Sequence, residues 1–161
     1  MVTTGTPSLT RSIPRGMAAG IAGTAVMSAF QQVVEMPITG REASYAPADL
    51  AERILPIHPQ TQQGRERLNW GTHMALGTLW GSAYGVTTHV GLRGVKAFAV
   101  VFPAVYTGDV LLNTVLGLYK PGTWTAQEWA VDLTNKAVQA AATGILNDYL
   151  FNKDQEVLPA E

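Results

Sequence analysis

Four long stretches of this chain are apolar or small-residue-rich, and polar segments separate them. Residues 16–34 and 68–92 contain no Asp, Glu, Lys or Arg, and residues 97–118 contain only Asp109. A fourth stretch, 126–151, is polar in its first half and small and apolar over 137–146. A bilayer crossing needs about 20 predominantly apolar residues. The pattern therefore predicts an all-α fold, an integral membrane bundle of four transmembrane helices. Residues 35–67 form a polar loop with Pro37, Pro47, Pro56, Pro59 and charges of both signs. Within it, residues 48–55 (ADLAERIL) follow Pro47 and read as a short amphipathic helix that covers the loop. Thr125 is a candidate N-cap for the last helix, with Glu128 in the position that closes a capping box.

Glycine spacing adds a second signal. Gly77, Gly81 and Gly85 recur every four residues, which puts them on one helix face. Gly16 and Gly20 share the same spacing in the first stretch. Each helical glycine costs about 1 kcal/mol relative to Ala in water. In a membrane, small residues repay that cost by letting two backbones approach. These five glycines are the predicted helix-packing faces.

Composition narrows the class further. The chain has 161 residues, of which 14% are charged, against about 25% in soluble domains. Mean hydropathy is only +0.09, because Ala, Gly, Val and Thr supply much of the apolar surface. A net charge of −1 leaves no basic footprint for nucleic acid. The absence of cysteine excludes disulfides, thiolate metal sites and thiol chemistry. Residues 1–15 read as a flexible leader and 152–161 as a frayed acidic tail. A signal peptide is the competing reading of the N-terminus, since Arg11 and Arg15 precede an apolar run. Trp70, Trp124 and Trp129, with Tyr119 and Tyr149, sit near span ends as an aromatic belt, while mid-span Trp80 reads as packing. The short basic loop at Arg93 and Lys96 favours both termini on the cytoplasmic side.

Ionisable groups inside spans are costly and are functional candidates by default. Glu35, His73, Asp109, Asn113, Asp132 and Lys136 all fall in the half of the bundle nearer the long loop. One reading is a structural network: Asp132 pairs with Lys136 one turn away, and Asp109 pairs with Lys136 or bonds to Asn113 and Tyr106. The other is a polar cavity that binds a proton, a cation or a small polar ligand. No spacing here marks a metalloprotease, a phosphate loop or a nucleophile motif, so the sequence implies no cofactor and leaves a metal undetermined.

Three short motifs resemble the YagU-like family of small bacterial inner-membrane proteins. They are Glu35-Met36-Pro37 followed by Arg41, Thr72-His73 followed by Tyr84, and Leu116-Gly117-Leu118 followed by Pro121. The chain departs from the family pattern at Thr39-Gly40, where the family has Pro-Pro. It also has Asn135 and Lys136 where a histidine is expected. The resemblance implies a multi-pass protein of the bacterial plasma membrane and no established reaction. With the lipid bilayer as its medium, the sequence favours an assembly-forming or accessory subunit without catalytic activity. Such a subunit would pack against itself or a larger membrane complex. The alternative is a small transporter, channel or ligand-binding protein. Two features separate these readings: whether the glycine face is spent within one chain, and whether a cavity surrounds Asp109 and Asp132.

Overall fold

The computed structural model describes residues 8–157, which are helical apart from short connections and contain no strand. The helices are α1 (Leu9–Thr39), α2 (Ala46–Ile54), α3 (Gln62–His89), α4 (Gly94–Val115) and α5 (Ala126–Val157). A 3-10 turn, Pro121–Thr123, precedes α5. The fold is all-α, as the hydrophobic pattern predicts. Two of the helices, α1 and α4, are long and apolar enough to cross a membrane. α3 and α5 match α1 in reach but carry too many Gly, Thr, Asn, Gln and charged residues to satisfy the same criterion.

α1 packs closely against α3 and α5, whereas α4 lies outside, against α5 and α3. The glycine faces make the α1–α3 contact. A Cβ placed on Gly20 would lie 2.8 Å from the Cα of Gly81, and one on Gly16 would lie 2.9 Å from the Cα of Gly85. Gly77 faces Thr24 in the same way. The stripe is thus consumed inside one chain.

The N-terminal boundary differs from the expectation. The predicted leader ended at residue 15, but α1 starts at Leu9, and residues 1–7 lie outside the described residues. Pro14 removes only the bond to Thr10, close to the helix start. Gly85 meanwhile lets the backbone at Ser12 and Ile13 dock on α3, and Ser12 is buried. The C-terminal boundary moves too. α5 continues to Val157 rather than fraying from residue 152, and the Arg93 guanidinium sits 4.2 Å from the Phe151 ring. The last four residues lie outside the described part.

Helix ends follow local chemistry. Gly91 and Gly117 adopt φ of 81° and 76°, where other residues are strained. At each, the N–H two residues past the last helical turn bonds back: Leu92 to Thr87 at 2.8 Å and Leu118 to Asn113 at 2.8 Å. Thr125 and Glu128 form the capping box, with Thr125 N–H donating to Glu128 Oε2 at 2.6 Å and Glu128 N–H to Thr125 Oγ1 at 3.2 Å. α2 begins two residues earlier than predicted. It lies on the first-loop end of α3, where Arg65 reaches Asp49 at 2.5 Å and Glu52 at 3.5 Å. Those carboxylates hold the Arg65 guanidinium above its ordinary pKa, the Asp49 hydrogen bond contributing most.

The interior mixes an apolar core around Tyr84, Ala97 and Val101 with many buried polar side chains. Thr24, Asn113, Asn135, Gln139, Thr143 and Asn147 are buried, while Leu79, Val95, Val115 and Ile145 are exposed. Buried hydroxyls of Thr24, Ser28 and Thr88 donate to the carbonyl one turn earlier. Others are bonded across helices: Gln139 Nε2 donates to Thr24 Oγ1 at 2.8 Å, and Asn147 Nδ2 to Thr88 Oγ1 at 2.7 Å.

Candidate functional site: a polar vestibule at the first-loop end

At the end of the bundle that carries residues 40–45, the helices surround a cavity of about 870 Å³. All six predicted polar residues, Glu35, His73, Asp109, Asn113, Asp132 and Lys136, line it. Its mouth is built by the first loop and the start of α3. Its deep end is reached by Met27, Trp80 and Gln139.

α1 departs from regular helix beside the cavity. Residues Gln31–Glu35 form a π-helical turn in which the Met36 N–H bonds to Gln31 O. Pro37 follows and has no N–H for Val33 O, so the chain cannot keep regular α bonding there. Such wide turns are frequent at functional sites. This one buries Glu35, whose Oε1 accepts from Thr39 Oγ1 at 2.8 Å and stands 3.6 Å from an Arg41 guanidinium nitrogen.

The ionic centre joins α4 and α5. Lys136 Nζ contacts Asp109 Oδ2 and lies 2.9 Å from Asp132 Oδ1. Asn113 Nδ2 donates to Asp109 Oδ1 at 3.1 Å. The rings of Tyr106 and Tyr119 flank the ammonium, each centroid 5.2 Å away, a distance at which a cation is drawn to a ring face. Asp109, Asn113, Asp132 and Lys136 are therefore one network. Glu35 belongs to a separate pair with Arg41. His73 stands apart from both, its ring 6.4 Å from that of Trp70. Among the described residues no three His, Asp or Glu side chains form a group that could hold a metal ion.

One acceptor in this wall has no partner: Asn135 Oδ1 is buried without a hydrogen bond, and Asn135 lines the cavity. Asn135 and Gln139 were absent from the predicted cluster, although both lie on the face of Asp132 and Lys136 at spacings of three and four. That face continues as Thr143 and Asn147, within a segment that reads as apolar by content alone. Tyr119 and Trp124 pack edge to face at 5.3 Å, and Trp124 packs in turn on Trp129. Trp70, Tyr119 and Trp124, which the sequence reads as belt residues, line the cavity.

Fold and site define a class: a small helical bundle with many polar residues buried among its apolar ones, many large apolar residues exposed, and one charged vestibule at one end. No known protein family, curated protein or solved structure matches the chain.

Proposed function

We propose that this chain is a four-span membrane protein of the bacterial plasma membrane whose vestibule binds a small polar ligand. The observation that carries this reading is the cavity of about 870 Å³ containing all six intramembrane polar residues. Ligand pockets typically measure about 300–1,000 Å³. A network serving only to lock helices together gains nothing from a cavity, since a void forfeits the contacts that packing would supply.

The accessory-subunit reading weakens for a specific reason. Its main support was a glycine face free to pack against another copy, and α1 occupies that face within the chain. What remains for a neighbour is the outer side of α4, where Val95 and Val115 are 83% and 84% exposed. Lipid is a sufficient partner for that surface. The four-span arrangement draws support from this distribution, because α3 and α5 bury polar residues and present Leu79 and Ile145 outward. The resemblance to the YagU-like family is part of this proposal. Two of its three motifs supply vestibule residues, Glu35 with Arg41 and His73.

A thermal-unfolding screen of the purified protein tests this function. The panel contains small amines, carboxylates, sugars and phosphates. A ligand that binds only the folded state raises the melting temperature, and the rise continues with the logarithm of ligand concentration above its dissociation constant. At least one class should do so in the parent and lose the effect in Asn135→Leu. A panel with no stabilising member would overturn the proposal.

A further inference from the structure

Resting on the vestibule reading, we infer that the ligand is a monovalent organic cation bearing N–H donors, a protonated amine with an apolar body.

Charge points to the sign. Asp109, Asp132 and Lys136 together leave one negative charge uncompensated, while Glu35 is paired with Arg41. Over the whole cavity, six carboxylates face three cationic side chains. A single positive charge delivered to the ionic centre brings that centre to neutrality, which a weakly solvated site favours strongly.

Hydrogen-bonding capacity points to the head group. The unpartnered buried atom of the wall, Asn135 Oδ1, is an acceptor. Asn135 is only 5% exposed, so its carbonyl has been removed from solvent without compensation. A ligand that satisfies it must donate a hydrogen bond. A protonated amine does so, whereas an ionised carboxylate or a quaternary ammonium does not.

The walls point to the body. Trp70, Trp80, Trp124 and Tyr119 line the cavity. Their faces accommodate hydrocarbon and attract cations. The protein already contains one example of the predicted recognition. The Lys136 ammonium sits between two carboxylates and two tyrosine rings, an alkylammonium held by the same kinds of groups.

The test is a titration of tryptophan emission in lipid nanodiscs, using three probes of one shape: 2-phenylethylammonium, 2-phenylethanol and 3-phenylpropionate. The ammonium should change the emission saturably, and the alcohol and carboxylate should not. Asp132→Asn leaves Lys136 paired with Asp109 and should weaken ammonium binding about tenfold or more. Asn135→Leu removes the unpartnered acceptor without altering charge and should weaken it similarly. The N,N,N-trimethyl analogue, which keeps the charge but has no N–H, should also bind about tenfold more weakly. Equal or tighter binding of the alcohol or the carboxylate would overturn the amine assignment and leave the vestibule standing. The same holds if another class stabilises the protein in the unfolding screen while the ammonium does not bind. If no class binds in either experiment, both the assignment and the vestibule reading fall.

Discussion

Gly20 of α1 and Gly81 of α3 meet backbone to backbone, so that a Cβ on either would lie 2.8 Å from the other's Cα. No side chain can shift to make room there. Gly81→Leu should therefore cost about 3 kcal/mol or more, at the upper end of overpacking penalties. Because both partners belong to one chain, the size of the particle in detergent should not change. Denaturant unfolding and sedimentation check the two parts separately. Unaltered stability, or loss of a defined oligomer, would contradict this placement of the stripe.

Lys136 is shared between Asp109 and Asp132, and both carboxylate side chains are less than one fifth exposed. Asp109→Asn leaves Lys136 with one counter-charge, and Lys136→Met leaves two carboxylates with none. Removing one partner of a buried pair costs more than removing both. The Asp109→Asn, Lys136→Met double variant should consequently be more stable than the sum of the single losses, with a coupling of about 1–3 kcal/mol. Strict additivity in a double-mutant cycle would show that the contact contributes nothing.

Gln139 donates to Thr24, whose own hydroxyl donates to Gly20 O. Gln139→Leu removes one interhelical bond and leaves no Thr24 donor unsatisfied. The expected loss is about 0.6–2 kcal/mol, the range for polar contacts between membrane helices. Chemical denaturation in mixed micelles measures it. A loss well beyond that range would mean that the polar face of α5 holds the bundle together more strongly than these bonds suggest.

The capping box at the start of α5 makes a simpler prediction. Thr125→Ala should cost about 1 kcal/mol, while Thr125→Ser should retain most of the stability. Equal losses for Ala and Ser in thermal unfolding would show that the hydroxyl is not what caps the helix.

Much of this was legible in the sequence because single-helix rules govern it. Four apolar stretches became the four long helices. The four-residue glycine spacing marked a close contact, and Thr125 with Glu128 marked a helix start. The six polar residues expected near one end of the helices all line one cavity, since position along a helix survives folding even when rotation is unknown. What escaped was relational. Periodicity says that Gly77, Gly81 and Gly85 share a face but not whether α1 or another molecule lies against it. Gln139 and Thr143 sit among alanines, so composition hid a buried polar face that continues to Asn147. The start of α1 was obscured because Pro14 and Arg15 break the hydrophobic pattern at residues that docking on Gly85 nonetheless holds in a helix.

The central claim, a water-filled vestibule entered from one side of a membrane bundle, can be measured on single-cysteine variants, because the chain contains no cysteine of its own. Ser28 lines the deep part of the cavity, and Ser82 on α3 does not line it. Both substitutions, Ser28→Cys and Ser82→Cys, are nearly isosteric. A cationic, membrane-impermeant thiol reagent added to either face of sealed vesicles should modify Ser28→Cys only from the face that exposes Arg41. It should leave Ser82→Cys untouched from both. A Ser28→Cys variant that is inert from both faces, or equally reactive from both, would contradict the account.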